Sequence, residues 1–228
     1  MSGGGQDGSV NHGRLTFRGR RSAAATGPRG LSDLSDPDGR RVGRLFVPST
    51  LGDGGLRLVV LLHGAGGVAR TALELLRPHA EEHGLLLLAP KSTGATWDRI
   101  TGEYGPDVRL IDDLVTRVCA EYPVDRYSIA GFSDGASYAL SLGLDNGDVF
   151  DKIVAFSPGF LASQRPRARP RLFVSHGTAD HVLPIDRCSR RLVPALRRQD
   201  YEVTYVEFAG GHSVPPEICR QAADWLSG

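Results

Sequence analysis

Cysteine is scarce in this sequence. Cys119, Cys188 and Cys219 are odd in number and none sits in a CxxC pair. Such a set excludes the dense disulfide framework of small secreted domains and points to reduced thiols in a cytoplasmic protein. At most one bridge beside one free thiol remains open. An excess of one charge is also missing. Lys and Arg total 27 against 26 Asp and Glu, a formal net charge of +1, so nothing electrostatic argues for nucleic acid or an anionic membrane as partner. No apolar run approaches the roughly 20 residues that span a bilayer. HExxH is absent and the seven histidines form no ligand cluster, so no metal is expected. Neither a GxGxxG nor a Walker spacing occurs, which removes the usual phosphate-cradling loops and leaves no organic cofactor implied. Arg20-Arg21 superficially resembles a twin-arginine export signal, but the apolar stretch such a signal needs does not follow it. The sequence has no internal repeat and sets no oligomeric state.

What is present suits one globular unit. The 228 residues are 40% hydrophobic and 23% charged, enough for one sizeable core and too few for two comfortable ones. Residues 1–12, rich in Gly, Ser and Asn, read as a disordered segment ahead of a single domain over 13–228. Two short alternating runs, Gly13 to Arg20 and Arg40 to Val47, read as antiparallel edge strands, with a Gly-, Asp- and Pro-rich loop between them.

From Leu56 the pattern changes. Leu56 to Leu62 is almost wholly apolar, as a strand buried on both faces of a parallel sheet must be. Comparable runs follow at Leu85 to Ala89, Tyr127 to Gly131, Lys152 to Phe156, Arg171 to Ser175 and Glu202 to Phe208. Helical stretches separate them: Ala69 to His83, Val108 to Tyr122, Ser133 to Leu144, Ile185 to Gln199 and Pro215 to Leu226. Pro78 and Pro194 are positioned to kink or split the first and fourth of these. Alternation of this kind predicts an α/β protein: a mostly parallel, doubly wound sheet with helices on both faces. Ligands of such sheets sit beyond the carboxyl ends of the strands.

Four of those ends carry chemistry. Gly131-Phe132-Ser133-Asp134-Gly135 is G-x-S-x-G between a strand and a helix, where a tight turn lifts a serine hydroxyl above the sheet. Gly-rich strand-to-helix turns also occur without any catalytic role. His63-Gly64-Ala65-Gly66-Gly67 follows the first core strand, and its small residues let backbone amides approach a substrate. The Ala65 amide, with Gly66 as second choice, and the Asp134 amide are candidate oxyanion donors. His63 closes a strand, where a structural hydrogen bond is the commoner use of a histidine. Asp180 lies in a loop after another core strand, flanked by His176 and His181, both better read as structural. His212, between Gly210-Gly211 and Ser213, completes the chain order Ser133, Asp180, His212, which is that of α/β-hydrolases rather than of chymotrypsin or subtilisin.

With LLHGAGG, GFSDGASYAL, FSPGF, SHGTADHVLPI and GGHSVPPE in place, the chain from about Arg40 onward resembles the α/β-hydrolase superfamily. Within it, the likeness is to small esterases of the phospholipase/carboxylesterase and dienelactone-hydrolase-like group. The resemblance implies Ser133 as nucleophile, His212 as general base, Asp180 as its orienter, and Ala65 and Asp134 as oxyanion donors. It implies a small-molecule ester as substrate, cleaved through an acyl-enzyme with no cofactor. Thr96-Trp97-Asp98 and Tyr104-Gly105-Pro106 resemble a stretch of that subgroup, which makes Trp97 and Tyr104, with Gly66 and Leu183, candidates to contact substrate. Packing for stability explains the same stretch equally well. Larger relatives insert a cap after the strand that follows the nucleophile helix. Here only Pro158 to Pro170 intervenes, with Arg165, Arg167 and Arg169, so no cap domain is expected. A thioesterase, a polyester depolymerase of the polyhydroxybutyrate type, and a non-catalytic binding protein on this fold remain alternatives.

Overall fold

The computed structural model describes residues 13–17, 25–51 and 55–228; the expected disordered segment 1–12 lies outside them. Among the described residues, eight strands form one sheet: β1 (Gly30–Ser35), β2 (Arg41–Val47), β3 (Leu56–Leu62), β4 (Leu85–Pro90), β5 (Val124–Phe132), β6 (Lys152–Phe156), β7 (Arg171–Gly177) and β8 (Val203–Phe208). Their spatial order is β1-β2-β4-β3-β5-β6-β7-β8. β1 and β2 run antiparallel, and β2 pairs antiparallel with β4, while all later neighbours are parallel.

The apolar runs become central strands because both faces are covered. Every residue of β3 is buried. Its Leu58, Val60 and Leu62 enter one core with helices α4 (Pro106–Glu121), α5 (Asp134–Asp145) and α6 (Ser189–Arg198). Val59 and Leu61 enter the other, with α1 (Ala69–Leu73), α2 (Arg77–His83) and α7 (Pro216–Ser227). Truncating a fully buried leucine such as Leu61 to alanine costs about 2–5 kcal/mol in such a setting. The remaining short helix, α3 (Asp98–Thr101), lies in the connection after β4. The stretch Ala69 to His83 is split into α1 and α2, with Pro78 in the first turn of the second, where its missing N–H costs nothing. Pro194, by contrast, sits inside an unbroken α6.

The amino-terminal region departs from expectation. Among the described residues, Gly13 to Phe17 forms no strand. Leu15 and Phe17 are buried in the core beside α4 and α5, and helix side chains take over the backbone bonds that a sheet would have made. Asn146 accepts the Leu15 N–H at 3.0 Å and donates to Gly13 O at 2.7 Å, while the Asp112 carboxylate accepts the Thr16 and Phe17 N–H groups. Residues 18–20 of the expected strand lie outside the described residues. The true edge strand is β1, in the stretch read as loop. Its side chains alternate between half-buried and exposed, and it is held to β2 in part by polar pairs. Asp33 receives Arg44 at 2.8 Å and Arg41 at 3.0 Å. An edge strand with one exposed and one half-buried face needs no continuous apolar run, which is why Gly, Ser and Asp could stand beside its two leucines.

Between β6 and β7 no helix or strand is inserted, so there is no cap domain. Among the described residues, no helix is long and apolar enough to cross a membrane.

Candidate active site

β5 ends at Phe132 and α5 begins at Asp134, leaving Ser133 alone to turn the chain. It does so at φ 57°, ψ −119°, a conformation that costs a non-glycine residue on the order of 1–3 kcal/mol. Neighbouring contacts hold it there. The Ser133 N–H donates to Phe156 O at 2.9 Å, and its carbonyl accepts the Ala136 and Ser137 N–H groups at 3.0 Å. The two glycines of the motif are sterically required. A Cβ on Gly131 would stand 2.2 Å from Gly135 O, and one on Gly135 would stand 2.3 Å from Leu62 O. The Ser133 side chain thus projects at the carboxyl edge of the sheet, over the start of a twelve-residue helix whose N-terminal end favours negative charge.

Two other strand-end loops are joined to each other before they meet the serine. Thr178 N–H donates to Phe208 O and Ala179 N–H to Gly210 O, both at 2.9 Å. Gly177 must lack a side chain because a Cβ there would fall 2.4 Å from Gly211 O. This seam brings together residues 32 apart in sequence. His212 Nδ1 lies 2.6 Å from Asp180 Oδ2, and His212 Nε2 lies 2.9 Å from Ser133 Oγ. The His212 ring also packs against Phe132, with centroids 4.8 Å apart.

Asp180 has a buried carboxylate with every direction occupied. Its Oδ1 accepts the N–H groups of Val182 and Leu183 at 2.9 and 2.8 Å. Its Oδ2 lies 3.2 Å from His176 Nε2 as well as close to His212. Burial works to raise its pKa, but the bond from His212 and the two amides outweigh burial, and the net shift is downward. His176 itself is fully buried. Its Nε2 reaches Leu183 O at 2.8 Å, and a carbonyl can only accept, so Nε2 carries the proton and Nδ1 accepts from Ser189 Oγ at 2.7 Å. Burial lowers its pKa. His181, next to Asp180 in sequence, is exposed and makes no part of this network.

On the other side of Ser133 runs the loop after β3. Gly64 passes so close that a Cβ would touch Ser133 Cβ at 3.3 Å. The Gly66 amide, second choice as an oxyanion donor, is committed to Ala95 O at 2.8 Å, which leaves Ala65, exposed at the loop's tip. Gly66 itself takes φ +64° with open space around its Cα. His63 is buried and tethered, its Nδ1 to Gly64 O at 2.8 Å and its Nε2 to the Ser92 N–H at 3.1 Å, with burial lowering its pKa.

Of the four candidates for substrate contact, Gly66 and half-buried Leu183 stand at the surface near the triad. Trp97 and Tyr104 do not. Trp97 is 0% exposed and donates its indole N–H to His63 O at 2.8 Å. Tyr104, also buried, donates to Asp145 Oδ2 at 3.1 Å. Side chains with so little accessible area line no open cleft. Trp97 instead packs against the His63 ring, centroids 4.8 Å apart, and Tyr138 of α5 joins Trp97 to Tyr104. Asp98 and Asp107 complete that support by accepting amides of Gly105 and Asp107, and of Thr93 and Asp98. The sequence reading passed over Phe160 and Val182, exposed apolar side chains in the loops after β6 and β7. Val182 donates its N–H to Asp180. Phe160 and Val182 each stand next to a second apolar residue, Leu161 or Leu183, so nothing local marks either as exposed.

Among the described residues no three His, Cys, Asp or Glu side chains stand together as a metal site. The three cysteines are buried thiols, and burial pushes Cys119 and Cys219 up to about 11, far from a reactive thiolate.

No protein-family model matches the sequence, and no curated protein matches it. Solved structures match the fold. The chain is similar to esterase PE8 with a TM-score of 0.67 and 21% identity, over 81% of this chain and 97% of that one. The fluorophosphonate-binding serine hydrolase F of Staphylococcus aureus gives 0.66 at 18% identity, over 90% and 100%. The S-formylglutathione hydrolase of Staphylococcus aureus gives 0.68 at 17%, over 87% and 98%. With the sheet order above, these establish the α/β-hydrolase fold for this chain.

Proposed function

We propose that this protein is a serine hydrolase that cleaves carboxylic esters of small molecules through an acyl-enzyme. The observation that carries the reading is the unbroken chain from the strained Ser133, through Oγ and the His212 ring, to Asp180, at 2.9 and 2.6 Å. A binding protein has no use for that strain. The esterase and serine hydrolase activities named for structures of the same fold support the same reaction class.

In this mechanism, His212 Nδ1–H donates to Asp180, so Nε2 is free to take the Ser133 proton as Oγ attacks the ester carbonyl. The negative charge that develops on the carbonyl oxygen is held by the Ala65 and Asp134 N–H groups. His212 then protonates the departing alcohol, and a water activated by the same nitrogen releases the acid and frees Ser133. Asp180 stays ionised throughout, held by the two amides on Oδ1. The small exposed apolar surface that Val182 and Phe160 offer beside half-buried Leu183, in the loops after β6 and β7, suits a small apolar leaving alcohol.

The test is Ser133→Ala with 4-nitrophenyl butyrate and a fluorophosphonate probe. The variant should fold, lose probe labelling and lose about 10⁴- to 10⁶-fold in kcat. A variant that keeps a tenth of the activity would overturn the assignment, and a wild type that neither labels nor turns over would make the fold a binding module.

A further inference from the structure

Beside the Ala65 loop lies a groove of about 350 Å³ that the proposed chemistry does not use. Its walls include Arg41, Gly43 and Arg44 of β2, Val68 and Arg70 at the start of α1, and Lys91 just past β4. None of its lining residues is acidic. Asp33 is shared between Arg41 and Arg44, and among the described residues no carboxylate lies within 4.0 Å of Arg70 or Lys91. Four cations therefore face one carboxylate. In a chain whose overall charge is nearly balanced, so uneven a patch favours an anion.

The fold places this patch relative to the serine. β2 runs antiparallel to β4, so Arg41 at its start stands at the carboxyl edge of the sheet, the edge that carries Ser133. β4 is two places and β2 three places from β5, which at about 4.8 Å per strand sets the groove roughly 10–15 Å from the nucleophile. Val68 follows directly on the loop that holds Ala65, and Lys91 adjoins Ser92, whose amide binds His63. His212 comes from the opposite side, after β8. A leaving alcohol must lie next to His212 to receive its proton, so the groove is on the acyl side.

We propose that this groove binds the acidic end of the acyl group, making the substrate an ester whose acyl chain terminates in a carboxylate or phosphate. The proposal rests on the ester-hydrolase reading above. An extended chain advances about 1.2 Å per bond, so roughly eight to twelve bonds separate the scissile carbonyl from the acid.

The experiment compares the 4-nitrophenyl monoester of sebacic acid with its terminal carboxamide, the same length without the charge. Wild type should favour the acid by about tenfold or more in kcat/KM, and Arg70→Ala with Lys91→Met should bring that ratio to about one, since methionine keeps the lysine stem's packing. Arg165→Ala with Arg167→Ala, in the basic loop beside the C-terminal end of α5, should leave the ratio unchanged. Calorimetric titration with free sebacate reads the groove without catalysis, and the Arg70/Lys91 variant should bind it about tenfold more weakly. Inorganic phosphate titrated the same way says which acid the groove prefers. Equal ratios in all three proteins, a ratio that collapses only with Arg165 and Arg167, or sebacate binding indifferent to Arg70 and Lys91 would each overturn the proposal. Sebacate bound through Arg70 and Lys91 by a protein that hydrolyses neither ester would instead refute the ester-hydrolase reading and leave the anion site standing.

Discussion

Asp180 divides its work between its two oxygens. Oδ1 is anchored by backbone amides and cannot swing, so Oδ2 must face His212. Asp180→Asn would keep the shape and remove the ionised acceptor, and kcat/KM for a butyrate ester should fall about 10⁴-fold. Asp134, one residue past the serine, offers only its amide to the chemistry. Its carboxylate accepts Thr96 Oγ1 at 2.7 Å, so Asp134→Asn should cost less than about tenfold. Activities in the reverse order would exchange the two roles. Gly131 makes a different kind of demand. The 2.2 Å approach to Gly135 O leaves no room for a methyl group, and Gly131→Ala should destabilise by about 3 kcal/mol or more in urea unfolding. An unchanged midpoint would mean that the turn can open, which the present geometry denies.

At the scale of elements, α5 carries a polar ladder on one face. Ser137, Ser141 and Asp145 follow Ser133 at intervals of four, and each ties down the connection between β6 and β7. Ser137 Oγ accepts the Gly159 N–H at 2.9 Å and itself donates to Ser133 O at 3.3 Å. Ser141 Oγ accepts the Ala162 N–H at 2.9 Å. Asp145, fully buried, accepts the Ser163 hydroxyl, the Gln164 and Arg165 amides, and Tyr104 Oη. Serines that bond back to the preceding turn weaken a helix slightly. Here they pin the connection between β6 and β7. Asp145→Ala, leaving several donors unpaired, should cost about 3 kcal/mol and speed amide exchange from Gly159 to Arg165. A loop held in this way does not swing open at an interface. Initial rates on butyrate and longer esters should saturate smoothly, with no jump as substrate passes its solubility limit. A steep rise in emulsion would refute a fixed loop.

At the scale of the whole molecule, acid should unfold this protein through its buried histidines first. Burial holds His63 and His176 below their ordinary value of 6.5 in the folded state, so the unfolded chain binds the protons that the folded one refuses. Stability is therefore full above about pH 6.5 and declines as pH falls through the lowered folded values. Asp180, also lowered, adds a further loss toward its ordinary value of 3.8 and below. Melting temperature should fall steadily from pH 6.5 to pH 4, and His176→Gln should flatten the upper part of that fall. A flat profile over this range would show that neither ring is protonated on unfolding.

The sequence by itself determined the alternation of buried strands and helices from Leu56 onward, because a strand covered on both faces must be apolar along its length. It also marked Ser133, Asp180 and His212 as candidates, since glycines at strand ends leave a local chemical trace. Only the tertiary structure decided that His176 and His212 both stand at Asp180 and that His212 also reaches Ser133. The seam between the loops after β7 and β8 delivers His212, and such a seam joins segments whose local patterns carry no record of each other. The same holds for the strap at Leu15 to Phe17, whose partners Asp112 and Asn146 lie 96 and 131 residues away, and for β1, whose edge position removed the apolar pattern that would have revealed it. Trp97 and Tyr104 make the point in reverse. An aromatic residue in a loop reads alike whether it faces solvent or core, and the burial of these two was settled by their shared contact with Tyr138 of α5.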